Sequence, residues 1–200
     1  MAKKQQEKAK QTERELMAAA TELFGSKGFF ATTVAEITKK AGYAKGSFYR
    51  HFEGKDEIVL KIIEDKLRQY RTKRKKRISE ARDLEGVVEA IWDFLDLIME
   101  DRNWSRVFLE FAIHASRDAE LKAKLNDERY RLSDKIFADL LEEYVETDYP
   151  LEKVGALNTA LFEGFLVHSI LDTGVLSKED VREAALTLAL ARGTKGPGPR

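Results

Sequence analysis

Cysteine is absent from the 200-residue sequence, which excludes disulfides, thiolate metal sites and a cysteine nucleophile. Proline is nearly as scarce. Pro150 is the first, and only Pro197 and Pro199 follow, so no sandwich or barrel of short strands and frequent turns is expected. No apolar run approaches the roughly 18 residues of a membrane span. The N-terminus, Met1 to Lys10, lacks the apolar core of a signal peptide. These absences predict a soluble, cytoplasmic chain without a membrane partner. A Gly-rich phosphate loop, a His-Glu-x-x-His zinc helix and a nucleophile elbow are also missing. The three histidines, His51, His114 and His168, lie far apart without ligand spacing. Neither catalysis nor a resident metal or cofactor is expected.

What is present favours helix. Ala, Glu, Lys, Leu and Arg together number 101, a composition typical of long helices. The net charge is zero, with 35 basic and 35 acidic residues, but the charges are unevenly placed. Residues 1–77 hold 20 Lys and Arg against 10 Asp and Glu, a net of +10, and residues 78–200 hold 15 against 25, a net of −10. Such a split suggests a polyanion-binding part joined to a part with another task. Nucleic acid is the first candidate, with a membrane surface or an acidic protein as alternatives.

Apolar spacing then lays out the helices. Leu16, Ala19, Ala20, Leu23 and Phe24 stripe a first helix over residues 12–27. Thr33-Val34-Ala35-Glu36 has the pattern of a capping box, and the helix it opens must be short because Gly42 follows. A second short helix fits Ala44–His51, and Gly54 can cap a third from Lys55 through the basic run Arg71–Arg77. Farther on, Asp83 can cap a helix over 84–101, and residues 103–116 carry Trp104, Phe108, Phe111 and Ala115 on one stripe. Asp118 can open a long helix to about Val145. Pro150 suits the first position of a helix ending near Gly174, and Ser177 with Asp180 resembles a capping box for the last helix, stopped at Gly193. The tail, residues 194–200, is expected to be disordered.

Residues 33–52 carry the functional signal. A capped short helix, a turn at Ala41-Gly42 and a second short helix make helix-turn-helix geometry, in which the second helix enters the major groove. That helix, AKGSFYRHF, places Lys45 in its first turn. Gly46, lacking a side chain, would let backbone approach DNA, and Ser47 can donate or accept. Tyr49, His51 and Lys55 can reach phosphate oxygens, while Val34, Ile37, Phe48 and Phe52 are expected to pack inward.

The segments FGSKGFFATTVAEI, AGYAKGSFYRHF and GKDEIV, within residues 16–63, resemble the tetracycline-repressor (TetR) family of bacterial transcription regulators without a gap. The resemblance covers about a quarter of the chain. It implies an all-α fold, with an N-terminal three-helix helix-turn-helix domain followed by a helical ligand-binding and dimerisation bundle. By matching position it places Thr33, Tyr43, Tyr49, His51 and Lys55 on phosphate, Lys45, Gly46 and Ser47 nearest the bases, and Arg50 in either role. Ala44 and Gly54 stand where many members have Ser or Thr, so a hydroxyl cap on the recognition helix is missing.

Four divisions are expected: a basic arm over 1–10, the DNA-binding domain over 11–57, the ligand and dimer domain over 58–193, and the tail. The basic run Arg71–Arg77 lies about 20 residues past Lys55, roughly 30 Å along a helix, and is expected to face the acidic half or solvent. Trp92, Trp104, Phe108, Phe111, His114, Phe137, Phe165 and His168 are candidates to line an apolar effector pocket, though bundle packing would also use them. Leu157, Leu161, Leu186 and Leu190 are candidates for a homodimer interface, as a two-fold operator requires. The family implies a repressor bound to double-stranded operator DNA and released by a small apolar or amphipathic effector. The competing reading is a helical protein–protein interaction module or sensor without specific DNA binding.

Overall fold

The computed structural model describes residues 2–127 and 132–191, and every regular element among them is a helix. In chain order these are α1 (Ala2–Lys27), α2 (Val34–Ala41), α3 (Lys45–Phe48), α4 (Lys55–Glu80) and α5 (Leu84–Glu100). The chain continues with α6 (Arg102–Ala115), α7 (Ala119–Leu125), α8 (Leu132–Leu141), α9 (Leu151–Ile170) and α10 (Lys178–Leu190). The expected tail at 194–200 and the Gly193 stop lie outside the described residues, as do the side chains of Arg71–Lys76.

Side-chain caps set several helix starts where the sequence places them. Thr33 and Glu36 form a reciprocal capping box at α2, and Ser177 and Asp180 form another at α10. Asp83 accepts the Gly86 amide proton at 2.8 Å and opens α5. Other boundaries move. Helix α1 begins at Ala2, because Met1–Lys27 contains no proline and its first glycine is Gly25, so the basic segment 2–10 is helical and continuous with the rest. The helix opened by Asp118, whose carboxylate accepts the Leu121 amide proton at 2.8 Å, ends as α7 at Leu125 and is followed by a π-type turn at Asn126–Asp127. Regular helix resumes as α8 and stops at Leu141, four residues short of Val145. Pro150 caps α9 rather than occupying its first helical position.

The chain forms two compact units. The first comprises Met1–Leu67 and Asn103–Lys122, the second Arg68–Arg102 and Ala123–Arg200. In the first, Leu16, Ala20 and Phe24 of α1, Ile37 of α2, Phe48 of α3 and Ile58 of α4 are fully buried. Each large apolar side chain taken from water contributes about 1.5–3 kcal/mol. From α6, Phe111 joins this core with no exposed surface and meets Phe29 edge-on at 5.4 Å between ring centroids.

In the second unit α8 packs along α9, and α10 packs on α5 and α9. Trp92 is wholly buried, and its indole N–H donates to Asn158 Oδ1 at 3.1 Å. A buried polar atom left without such a partner costs about 1–3 kcal/mol. Phe162, 6.3 Å from the Trp92 ring, and Leu166 complete the α9 face of this core. Arg182 of α10 bridges Asp93 and Asp96 of α5 at 2.9 and 2.5 Å. Arg77, the last residue of the basic run, pairs with Asp93 at 2.8 Å.

Candidate nucleic-acid interface

The helix-turn-helix is built from local chemistry. Thr33 Oγ1 accepts the Glu36 amide proton at 3.3 Å, and the Glu36 carboxylate takes the Thr33 backbone proton at 2.9 Å. The Glu36 carboxylate also pairs with Lys27 of α1. That bond first, then those from Thr33, hold its carboxyl at about 2 rather than the ordinary 4.5. Lys40 reaches back to Glu22 of α1 at 2.6 Å, so two ion pairs fasten α2 to α1. Helix α2 ends at Gly42, whose φ of 77° is the left-handed conformation glycine adopts at least cost. The next residue, Tyr43, donates its amide proton to Thr38 O at 2.9 Å and closes the turn.

Helix α3 is a single turn. Ala44 caps it without a side-chain hydrogen bond, in keeping with the missing hydroxyl, and the Ser47 amide closes on Ala44 O at 2.8 Å. Packing holds what capping does not. Phe48 is fully buried, Phe52 is 4% exposed, and their rings lie 5.4 Å apart. With Phe48 inward, Lys45, Gly46, Tyr49 and Arg50 are exposed, and Ser47 and His51 are half-buried. The Lys45 ammonium lies 5.9 Å from the Tyr49 ring centre, and Arg50 Nη2 donates to Ser47 Oγ at 3.4 Å. A Cβ built at Gly46 would meet nothing within 4 Å. Among the described residues nothing therefore demands glycine there.

Two of the residues nominated for phosphate are engaged within the protein. Tyr43 donates its phenolic proton to the Glu15 carboxylate of α1, and that bond, followed by one from Gln11, lowers the Glu15 carboxyl below its usual range. Lys55 directs its ammonium to the carbonyls of Phe29 at 2.8 Å and Phe30 at 3.4 Å, with the Phe29 ring centre 4.4 Å away. Burial pushes the Lys55 ammonium below its ordinary value, with Asp56 opposing. Thr33 is exposed while serving as a cap.

The eight pocket candidates divide between the two units. Trp104, Phe108, Phe111 and His114 belong to the first. There Trp104 lies under the Lys66 ammonium, Phe111 joins the core, and His114 stands 5.1 Å from the Phe29 ring with Nε2 3.1 Å from Asp56. Trp92, Phe137, Phe165 and His168 belong to the second. Phe165 and His168 line an open cleft of about 390 Å³, together with Arg102, Ser169, Asp172, Leu176 and Lys178. Arg102 is bound there to the Ser169 carbonyl at 2.6 Å and to Asp172, and His168 Nδ1 lies 2.9 Å from Thr173 Oγ1. Of the dimer candidates, Leu157 and Leu190 are 39% and 45% exposed, and Leu161 and Leu186 are half-buried.

Sequence reasoning missed Glu110, whose carboxylate accepts the Phe29 amide proton at 2.6 Å from 81 residues away. Only the positive φ of 84° at Gly28, where a Cβ would meet that carboxylate at 3.0 Å, marks the junction locally.

Comparison with known proteins decides the family. Residues 16–62 match the model for bacterial regulatory proteins of the tetR family, and residues 82–192 match the C-terminal domain of the BetI-type transcriptional repressor. The chain belongs to the TetR family. This family consists of transcription regulators, not enzymes, and the TetR-type helix-turn-helix is the element described above. A similar full-length relative is the uncharacterised HTH-type transcriptional regulator YdgC of Bacillus subtilis, 27% identical over 87% of this chain and 91% of that protein. AcnR of Corynebacterium efficiens, named as an HTH-type transcriptional repressor, is 26% identical over 80% of this chain and 82% of its own. Among solved structures, FadR of Bacillus subtilis in complex with stearoyl-CoA superposes with a TM-score of 0.72 at 17% identity, covering 89% of this chain and 97% of that one. The fatty acid degradation regulator FadR of Bacillus halodurans gives 0.71 at 17% identity, over 90% and 94%. At such identities these structures share the TetR fold with this chain. No helix among the described residues is long and apolar enough to cross a membrane.

Proposed function

We propose that this TetR-family regulator is a cytoplasmic repressor that binds a two-fold operator as a homodimer and releases it when a small amphipathic effector binds. The observation that carries the DNA reading is the exposed face of α3. Lys45, Gly46, Tyr49 and Arg50 are presented together while Phe48 and Phe52 anchor the same turn. Lys45, Gly46 and Ser47 are assigned to base edges, Tyr49 and His51 to phosphates, and Arg50 to either. Thr33 and Tyr43 are assigned to phosphate contact alongside their roles in the cap and the turn. The exposed Leu157 and Leu190, with Val167 at 40%, support a dimer surface on α9 and α10.

For the effector, the cleft beside Phe165 and His168 supports a molecule with an apolar body and a polar end. Its wall pairs Phe165 and Leu176 with Arg102 and Lys178, and its volume is in the range of small-molecule sites. The stearoyl-CoA and lauroyl-CoA held by the FadR neighbours are amphiphiles of that kind. The test is a gel shift against the promoter region beside the chain's own gene, with long-chain acyl-CoA then added. A sequence-selective shift that the amphiphile abolishes is expected. Absence of a selective shift at moderate salt would refute the operator reading, and a shift that no amphiphile alters would refute the effector class.

A further inference from the structure

The cleft beside Phe165 and His168 lies wholly within the second unit, and its two cations are only partly engaged. Arg102, at the start of α6, gives the protein only Nη2, which donates to the Ser169 carbonyl at 2.6 Å and to the Asp172 carboxylate. Its Nε and Nη1 donors have no partner among the described residues. Lys178, in the first turn of α10, comes no nearer to a described carboxylate than 4.0 Å, from Asp96.

Asp172 is the unusual residue of this wall. Helix α9 gives way at Leu171, and the Thr173 amide closes back on His168 O at 3.2 Å. Asp172 thereby takes a φ of 51°, alone among the described non-glycine residues in the left-handed region. Glycine fills such a position at least cost, as Gly42 does after α2. A carboxylate there also faces the negative end of the α9 dipole. Backbone and dipole both disfavour Asp172, and its bond to Arg102 offsets them. That bond is open to water, with 47% of the Arg102 side chain and 74% of the Asp172 side chain exposed. An exposed ion pair adds little stability, so an incoming oxyanion can replace the carboxylate.

We infer that Asp172 holds Arg102 in place of an effector's oxyanion, and that the effector is an amphiphile with a carboxylate or phosphate head group. Arg102 and Lys178 receive that group while the apolar chain lies on Phe165 and Leu176. Asp172 is then a built-in competitor that raises the concentration at which the anion binds. A neutral head group forgoes the charge-assisted bonds, and a cationic one meets Arg102 and Lys178 against Asp172. The inference rests on the effector reading of this cleft and narrows its polar end to an anion.

Isothermal titration calorimetry of the full-length protein tests this without DNA. The probes are decanoate, decyl phosphate, 1-decanol and decyltrimethylammonium. The better of the two anions is expected to bind about tenfold tighter than 1-decanol, and their order identifies the head group. Asp172→Asn removes the charge and keeps a residue that tolerates the left-handed backbone. It is expected to raise anion affinity about threefold to fivefold and to leave 1-decanol unchanged. Arg102→Met is expected to lower anion affinity about tenfold. Should it unfold, Lys178→Met is expected to lower anion affinity severalfold.

A gain in Asp172→Asn is the opposite of what a merely structural residue would give, since loosening the end of α9 weakens every amphiphile alike. Unchanged or weaker anion binding in Asp172→Asn would overturn the inference. So would a folded Arg102→Met protein with wild-type anion affinity, or affinities that ignore the head group. If no amphiphile binds, the cleft is not an effector site and the inference fails with that reading. Anion binding that follows these variants but leaves the operator shift unaltered would sustain the inference and refute effector release.

Discussion

Two glycines in the helix-turn-helix serve different ends, and replacing each with alanine separates folding from recognition. Gly46 lies within α3 and is exposed, and an added Cβ would meet no protein atom within 4 Å. Alanine is better than glycine in a helix by about 0.5–1 kcal/mol. Gly46→Ala is therefore expected to leave the head as stable or slightly more so. If backbone at this position approaches the bases, the same methyl group occupies space reserved for DNA. An affinity loss of about tenfold or more, about 1.4 kcal/mol, is then expected.

Gly42 provides the contrast. Its Cβ would also meet nothing, but its φ of 77° disfavours an L side chain. Gly42→Ala is expected to destabilise the head by about 1 kcal/mol. It should lower DNA binding only through the folded fraction. Thermal denaturation gives stability, and fluorescence anisotropy with a pool-selected duplex gives affinity per folded molecule. Opposite signs for Gly46→Ala are the expected signature. A stable Gly46→Ala protein with wild-type affinity would refute the close-approach reasoning, and an unstable one would mean that protein contacts, not DNA, require the glycine.

Other consequences follow from named pairs. Breaking the Trp92–Asn158 bond from one side, with Asn158→Leu, leaves the buried indole N–H unsatisfied and should cost about 1–3 kcal/mol by urea denaturation. Adding Trp92→Phe should recover part of that loss, and a double-mutant cycle without coupling would contradict it. The Glu36 carboxyl is depressed to about 2 in the folded head. Its contribution to stability is therefore full above the unfolded value near 4.5 and is lost as pH falls through the folded one. NMR titration should show Glu36 well below an ordinary glutamate, moving upward in Lys27→Met. A midpoint near 4.5 in the wild type would remove the capping-box ion pair from the account.

The parts of this chain legible in the sequence are those governed by neighbours a few residues apart. Thr33 with Glu36, Ser177 with Asp180, Asp83 with Gly86 and Gly42 all act within one turn of helix, so spacing reveals them. What spacing could not reveal depends on distant partners. Phe111 and His114 have the same apolar stripe whether they line a pocket or pack against Phe29, and only the tertiary pairing of α6 with the first unit decides. Lys55 presents the same ambiguity. Its position in the motif suggests phosphate, while the carbonyls it binds lie 25 and 26 residues earlier. Asp118 caps a helix expected to reach about Val145, whereas α7 ends at Leu125 and a wider turn follows at Asn126–Asp127, which no local spacing signals.

The central claim is that α3 reads a two-fold DNA site. Selection of bound duplexes from a randomised pool by the full-length protein, at moderate salt, tests it most directly. Enrichment is expected of one inverted repeat whose half-site centres lie about one helical turn, roughly 34 Å, or a multiple of it apart, with weaker enrichment in Gly46→Ala. A pool that stays random while binding persists only at low salt would contradict it, because the chain would then recognise DNA by charge alone.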